Sequence, residues 1–445
     1  MSKSLVPQLP TGPKEPDAKG SWRAPTDWTT HAMQKRIRRR YGAERRFRFF
    51  GLAAVSLSAA FLAFLLITMV ANGWRGFTRT DVALPIDFPA SGMLIERAQL
   101  RTPAADLALA GAGLENAVKG AAATAFGPGG EEFISENAWL RIRDAIKADP
   151  SILDRKMRID VPASTEIDQA VRGDGNAEAK ATVAKLQQAG ALSRHFNLDF
   201  LYESDSTDPV AVGIWGALKG SLLTMAVTFL IAFPVGVLSA IYLEEYAPKN
   251  RWTDLIEVSI NNLAAVPSII FGLLGLAVFL GSWNLFGYQF GPLLPRSAAL
   301  VGGLTLALMI MPVIVIASRN AVKAVPPSIR DAALGIGASP IQVVFHHVLP
   351  LAMPGILTGT IIGMARALGE TAPLLLIGMR AFIVTPPGGF TDPATVLPVQ
   401  IFLWSDEVSR GFVEKTSAAI IVLLVFLLAM NGLAIYLRNK FETRW

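Results

Sequence analysis

Long apolar runs restrict the fold of this chain more than any other feature of its sequence. Six stretches are dominated by apolar side chains, and a helix of about 18 such residues or more can cross the roughly 30 Å of hydrocarbon in a bilayer. These stretches lie at about 49–70, 211–243, 257–282, 298–318, 352–378 and 417–437. Charged residues make up only 17% of the chain, against about a quarter in soluble domains. We therefore predict an all-α polytopic membrane protein with six transmembrane helices.

The composition excludes several kinds of functional site. The chain contains no cysteine, which excludes disulfides, thiolate metal sites and cysteine nucleophiles. With only four histidines, we predict no metal site either. The formal charge is +6, but the basic residues gather at the ends of apolar runs, where such residues hold the cytoplasmic side of a span. We therefore expect no nucleic-acid partner.

The positions of lysine and arginine also indicate the orientation in the membrane. A basic cluster between Lys35 and Arg48 precedes the first span, which predicts a cytoplasmic N-terminus and, after six spans, a cytoplasmic C-terminus. We expect residues 1–48 to form a partly disordered basic arm and residues 49–71 to form the first transmembrane helix. The arm is interpreted as an anchor against anionic lipid headgroups, with a regulatory role as the alternative.

Residues 72–209 differ in composition from the rest of the chain. They are polar and contain no run long enough to span a membrane. Helical spacing at 136–147 and 177–188, and strand-like runs at 81–88 and 157–161, predict a small mixed α/β domain. Because this segment follows a span that begins in the cytoplasm, we expect the domain in the periplasm. It is inserted before a core of five further helices at 210–440.

The loop at 319–350 contains the signals of a short helix. Ser328 stands three residues before Asp331, a spacing in which a side-chain oxygen caps the first free N–H groups of a helix. Gly335 and Gly337 follow, and glycine tolerates the positive φ that often ends a helix.

A second short helix is predicted directly after these glycines. Ser339 and Gln342 form the spacing of a capping box, with Pro340 at the first helical position. Pro350 is expected to stop this helix before the fifth span. The loop would thus expose two short helices joined by a glycine turn on the cytoplasmic side.

This loop resembles the "EAA" loop of ABC importer permeases. The resemblance rests on Asp331, Ala332, Ala333, Gly335, Gly337 and the Leu349-Pro350 exit, and it departs from the family in having Asp where Glu is usual. It implies that the loop, with Arg330 in front of it, docks on a separate ATP-hydrolysing subunit and transmits that subunit's movement to the spans. The chain has no Gly-Lys-Ser/Thr sequence, so it is not expected to be an enzyme or to bind a cofactor. ATP and Mg are expected on the partner.

The fifth span carries two charged residues, Arg366 and Glu370. Charges within a membrane are costly, and they usually face a pathway or one another. At a spacing of four residues they share a helix face and can pair. The same span holds a ridge of small residues that permits close helix packing, namely Gly355, Gly359, Gly363 and Ala367.

Two interpretations of the pair remain open from the sequence. It is either a structural ion pair that locks two helices, or an oxyanion site on a transport path. A guanidinium fits an oxyanion because its forked donors bind two oxygens at once. Glu370 would then favour phosphate, which retains a proton at neutral pH and can donate a hydrogen bond to a carboxylate, over sulfate, which cannot.

Three strings resemble the phosphate-transport permeases of the PstA type. They are Ala365–Leu374, Ile231–Tyr246 and Asn261–Phe271, within a resemblance that covers about 211–440. The resemblance implies the type I ABC importer fold in a bacterial inner membrane, with Arg366 as the arginine needed for phosphate passage and Glu370 as the acid beside it. It also implies a second permease of the PstC type, an ATPase dimer of the PstB type and a periplasmic binding protein of the PstS type.

Alternatives remain at this stage. The cargo could be sulfate, molybdate or phosphonate instead of phosphate. A membrane sensor with an external ligand domain, and a transporter driven by an ion gradient, would need no coupling loop of this kind.

Overall fold

The computed structural model describes residues 29–93, 95, 100, 102, 105–285, 288–292, 294–409 and 411–441. The disorder predicted for residues 1 to about 30 of the basic arm falls almost entirely on residues 1–28, which lie outside these ranges. The chain divides into two units, 1–67 and 68–445, which are described separately.

The described part of the first unit belongs mainly to one helix. Helix α1 runs from His31 to Gly76 without interruption, so the described part of the predicted arm is continuous with the first span. Arginine and lysine have good helix propensity, which allows the helix to begin well before the apolar run. Along the apolar window of α1 no residue is buried in this chain.

The second unit begins with a small sheet covered by helices. Strand β1 (Thr78–Asp87) lies in the middle, with β2 (Lys156–Pro162) and β3 (Leu192–Phe196) antiparallel on either side. The predicted strands are thus present at nearly the predicted residues. The α-helices of this region are α2 (Ala105–Gly111), α3 (Leu114–Phe126), α4 (Ala138–Ala148), α5 (Thr165–Val171), α6 (Ala177–Gln188) and α7 (Asp199–Tyr202), with short 3₁₀ turns at Pro89–Ser91, Gly130–Phe133 and Pro150–Asp154.

Alternation along β1 explains why the sheet packs on one side. Val82, Leu84 and Ile86 are buried, as expected for side chains two residues apart on one face of a strand. They pack with Ile142 and Ile146 of α4 in a hydrophobic cluster that is separate from the membrane helices.

The remaining chain forms the helical core. Its α-helices are α8 (Trp215–Ile241), α9 (Arg251–Ala264), α10 (Ser268–Phe279), α11 (Ala299–Lys323), α12 (Pro327–Gly335), α13 (Pro340–Gln342), α14 (Leu349–Gly369), α15 (Ala372–Leu376), α16 (Leu397–Ser405) and α17 (Gly411–Phe441). Two π-helical segments continue these helices. Tyr242–Tyr246 follows α8, and Val343–Val348 follows α13 and leads into α14. A two-residue link joins the short strands β4 (Trp283–Leu285) and β5 (Tyr288–Phe290).

The structure departs from six straight spans at the predicted third one. Among the described residues, five helices are long and apolar enough to cross a membrane, and a sixth span arises only if α9 and α10 count as one. These two helices meet at an angle of 105°. Pro267 is the last residue of the break between them, and proline both lacks an N–H donor and disfavours the α conformation in the residue before it.

Helix α11 lies at the centre of the core and packs against α8 and α14. Ile310 and Ile314 are fully buried there. A Cβ added at Gly355 would lie 2.7 Å from the Cβ of Ala321, and one added at Gly359 would meet Ala317. The small ridge therefore allows α14 to approach α11 closely, as predicted. Close packing of this kind drives helix association in lipid, where apolar burial alone gives little.

Candidate functional site

The predicted coupling loop forms two helical elements, but its first helix starts differently from the prediction. Helix α12 begins at Pro327, with Pro326 as its N-cap residue, and Ser328 lies inside the first turn. The Ser328–Asp331 cap is therefore wrong. The proline pair explains this, because Pro is well suited to the first helical position and the residue before it adopts an extended conformation.

The turn and the second cap follow the prediction. Gly337 has φ +87° and reverses the chain after α12. The Ser339 amide then donates to Gln342 Oε1 at 2.9 Å, and the Gln342 amide donates to Ser339 Oγ at 3.4 Å. This reciprocal pair satisfies two N–H groups that a helix start leaves free.

Pro350 does not end the second helix, contrary to the prediction. A continuous helical run extends from Pro340 to Gly369. The π-helical segment at Val343–Val348 lies directly before Pro350, and wider π geometry accommodates a position where the regular hydrogen-bond ladder is interrupted. The exposed loop is thus continuous with the membrane helix α14.

Helix α12 divides the predicted coupling residues between two faces. Ala333 is buried against the core and Arg330 is partly buried. Asp331, Ala332, Gly335 and Gly337 are exposed. Apolar side chains are exposed with them, including Leu334 and Ile336, the latter 81% exposed. One face is therefore attached to this chain and the other is free to contact a partner.

Arg330 attaches α12 to the rest of the core. Its Nη2 donates to Glu245 Oε1 at 2.7 Å, and its Nε lies 3.2 Å from the same oxygen. Its Nη1 donates to the carbonyl oxygen of Val325 at 2.7 Å, and Nη2 also donates to that of Val322 at 3.1 Å. These carbonyls lie at the end of α11, where helical C=O groups lack partners within the helix.

A second ion-pair group lies next to the first. Arg319 of α11 donates through Nε to Glu244 Oε1 at 2.5 Å and through Nη2 to Glu257 Oε2 of α9 at 2.8 Å. Sequence reasoning assigned Arg330 to the docking loop and did not predict the partners of either arginine. The sequence did contain a pattern that indicates such pairs. Glu244 and Glu245 directly follow the apolar run at 211–243, and Arg319 and Arg330 follow the run at 298–318.

The charges of the fifth span are arranged as a pair. Arg366 Nε lies 3.3 Å from Glu370 Oε1, with 46% of the arginine side chain and 18% of the glutamate side chain exposed in the single chain. A Cβ at Gly363 would lie 3.6 Å from Ile314 and 3.8 Å from Ile310, near the middle of α11. Arg366, about one turn further along, therefore lies near the level of the middle of α11, with its side chain partly exposed in the single chain.

Helix α14 ends between these two residues. Its last residue is Gly369, and Glu370 has an extended conformation with φ −78° and ψ 121°. The predicted span to 378 is thus interrupted, and α15 is a separate short helix. Because the backbone leaves the helix at Glu370, the carboxylate is held at the end of α14 and still reaches Arg366.

A buried polar group joins the sheet region to α17, and sequence reasoning missed it. Lys415, 5% exposed, donates through Nζ to the carbonyl oxygen of Gly76 at 2.9 Å and lies over the Phe200 ring at 5.1 Å from its centroid. Arg172 pairs with Asp168 at 2.7 Å and also with Glu414.

A further polar contact lies at the same end of the core. Trp404 Nε1 donates to Asp205 Oδ1 at 3.0 Å. Burial raises the pKa of the Asp205 carboxyl, and the hydrogen bond from Trp404 acts against this shift. Trp404 is buried and packs near Phe200 and Phe412.

Two family models match the chain in separate regions. The family described as binding-protein-dependent transport system inner membrane component matches residues 232–443, which include α12, α14 and both ion-pair groups. A domain of unknown function, DUF3333, matches residues 34–181, which include most of α1 and much of the sheet region.

Relatives of known name match the core. The probable ABC transporter permease protein YqgI of Bacillus subtilis is 30% identical over 267 residues, which cover 55% of this chain and 85% of the relative. Phosphate transport system permease protein PstA 1 of Mycobacterium tuberculosis is 32% identical over 217 residues, covering 48% and 67%. Phosphate transport system permease protein PstC of Haemophilus influenzae is 32% identical over 252 residues, covering 53% and 78%.

Proposed function

The chain belongs to the ABC transporter permeases described as binding-protein-dependent transport system inner membrane components, and from this premise we propose that it is the permease subunit through which phosphate enters the cytoplasm. The subunit catalyses no covalent chemistry itself. A separate ATPase dimer binds ATP and Mg and supplies the movement. Phosphate arrives on a binding protein of the PstS type, and a second permease of the PstC type completes the path.

One observation carries this proposal. The second helix of the coupling loop and Arg366 belong to one helical run, which begins at Pro340 and ends at Gly369, directly before Glu370. A run of 30 residues is about 45 Å long. A displacement of α12 by the ATPase is therefore passed through the short turn at Gly337 to Pro340 and then along a continuous helix to Arg366.

The arrangement of the pair suits an oxyanion. The guanidinium of Arg366 can present two N–H donors to two oxygens of the anion. The half-exposed arginine can release Glu370 when the anion arrives, and the carboxylate can then accept a hydrogen bond from the protonated oxygen of phosphate. Sulfate has no such proton and would face a carboxylate of like charge.

The orientation follows from the same proposal. Helix α12 faces the cytoplasm, both termini are cytoplasmic, and the sheet region at 72–209 is in the periplasm. The α9–α10 pair then serves as one broken span, which gives six crossings. Within the core at 210–440, Asp331, Ala332, Gly335 and Gly337 contact the ATPase.

The decisive experiment is phosphate uptake by the complete complex. The chain, its partner permease, the ATPase and the phosphate-loaded binding protein are reconstituted in proteoliposomes, and labelled phosphate uptake is measured with ATP. We expect ATP-dependent uptake that Arg366→Gln reduces by about a hundredfold, the effect of removing a charged hydrogen-bonding group worth roughly 3 kcal/mol. Uptake of sulfate, molybdate or phosphonate in place of phosphate would refute the proposed cargo.

The sensor and ion-gradient alternatives are tested in the same vesicles. A sensor would show no ATP-dependent flux, and a gradient-driven transporter would accumulate phosphate without the ATPase. Replacing 331–337 with a flexible glycine-serine segment should abolish uptake and leave binding of phosphate to the binding protein unchanged. Uptake at the original rate would show that the loop does not couple the two subunits.

A further inference from the structure

Two adjacent glutamates at the end of α8 contact different neighbouring helices. Glu244 pairs with Arg319 of α11, and Glu245 pairs with Arg330 of α12. Successive side chains leave a helix about 100° apart, so neighbouring residues can reach separate partners. Both glutamates lie in the π-helical turn Tyr242–Tyr246, and π-helical turns are found frequently at functional sites.

The contact of Glu245 with Arg330 has the geometry of a specific attachment. The glutamate oxygen accepts from two nitrogens of the guanidinium, at 2.7 and 3.2 Å. The glutamate side chain is 12% exposed and the arginine side chain 23%. Forked contacts of this kind fix orientation as well as distance, which a single point charge does not.

The remaining donors of Arg330 extend the attachment to a third helix. They bond the carbonyl oxygens of Val322 and Val325 at the end of α11. The guanidinium thus joins α12, the end of α11 and the turn after α8. Arg319 holds the same turn to α11 and α9 through Glu244 and Glu257, so the turn cannot move independently of α11.

We infer that Glu245 is a positioning residue of the coupling loop, which transmits the displacement of α12 to α8 through Arg330. This inference rests on the proposed function. The loop then moves the core by two routes. One is covalent and leads from α13 along α14. The other is ionic and leads from Arg330 to Glu245, so a substitution can sever it without changing the covalent route.

The test measures coupling, and not activity alone. Glu245→Gln removes the charge and retains an oxygen acceptor, and Arg330→Lys retains the charge and removes the forked donors. In proteoliposomes containing the complete complex, we expect the amount of phosphate imported per ATP hydrolysed to fall about tenfold in both variants, a size typical of a strong coupling between contacting residues. ATP hydrolysis per assembled complex should remain within about twofold of the original.

A matched control and a double variant complete the design. Asp254→Asn changes an exposed carboxylate on α9 and should leave the phosphate imported per ATP unchanged. Because Glu245→Gln and Arg330→Lys weaken the same contact, the double variant should lower this ratio little further than either single variant.

The outcomes separate this inference from the proposed function. If the original complex imports no phosphate, the proposed function fails, and another cargo that it does import can be used to measure the ratio. If the complex imports phosphate and both variants import as much phosphate per ATP hydrolysed as the original complex, the inference is wrong. If both variants fail to assemble with the ATPase, the ion pair serves assembly and the inference is equally overturned.

Discussion

The ammonium group of Lys415 donates a hydrogen bond to the carbonyl oxygen of Gly76 at 2.9 Å, joining the first turn of α17 to the last residue of α1. The two residues are 339 positions apart in the chain. Lys415 also lies over the Phe200 ring, so one buried side chain connects three segments.

Replacing Lys415 should weaken this junction. Lys415→Met keeps most of the side-chain length and removes the donor, which leaves the Gly76 carbonyl without its partner. We expect a loss of about 1–3 kcal/mol in the free energy of unfolding, measured as a lower Tm of the purified subunit in detergent. Lys156→Met, at a side chain that is 79% exposed, serves as the control and should change Tm little.

Glu370 should control discrimination between oxyanions. Glu370→Gln replaces a negative acceptor by a neutral amide that can donate to sulfate. We expect sulfate to inhibit phosphate uptake about tenfold more strongly in the variant, which corresponds to ~1.4 kcal/mol of lost selectivity. Competition uptake in proteoliposomes measures this, and unchanged inhibition by sulfate would assign the pair a purely structural role.

The stability of the fold should depend on pH through Asp205. Burial raises the pKa of this carboxyl in the folded protein above its ordinary value of 3.8, so the folded state binds the proton more tightly than the unfolded state. Asp205 therefore contributes its full stabilisation at a pH below the ordinary pKa. This stabilisation is lost as the pH rises through the raised pKa of the folded protein.

Asp205→Asn should remove the contribution and its pH dependence while retaining an oxygen acceptor for Trp404. The Tm of the variant minus that of the original protein should therefore increase as the pH rises from the ordinary to the raised pKa of Asp205. At a pH of about 7 the Tm of the variant should be equal to or higher than that of the original protein. Thermal unfolding in a series of buffers tests this. A constant Tm difference between the variant and the original protein at every pH would contradict the assignment.

Close packing of α14 on α11 gives a prediction about folding. At Gly359 any added Cβ meets Ala317, so Gly359→Leu should force the helices apart and cost about 1–3 kcal/mol or more. A Cβ at Gly432 of α17 has no neighbour within 4 Å, which makes Gly432→Leu the matched control. The yield of folded subunit after detergent extraction should fall for the first variant only.

Features that depend on nearby residues were predictable from the sequence. The Ser339–Gln342 capping box and the Arg366–Glu370 pair each involve residues three or four positions apart, and a helix brings such residues together by its own geometry. The same holds for the glycine ridge of α14. The strands of the sheet region were recognisable because their apolar residues alternate.

Features that depend on distant partners were not predictable in this way. Arg330 was assigned to the docking surface, but its principal partner, Glu245, lies 85 positions earlier. No local pattern specifies which of several glutamates an arginine will meet. The break between α9 and α10 was missed for a related reason, since a proline in an apolar run is compatible with either a kink or a sharp bend, and the neighbouring helices decide between them.

The long sequence separation between Gly76 and Lys415 also orders events during synthesis. The acceptor at the end of α1 and the Phe200 ring beside the sheet are made early, and the lysine that joins them belongs to the final helix. The junction cannot close until that helix has left the ribosome. A chain that stops short of α17 therefore lacks the side chain that joins the end of α1 and Phe200 to the final helix.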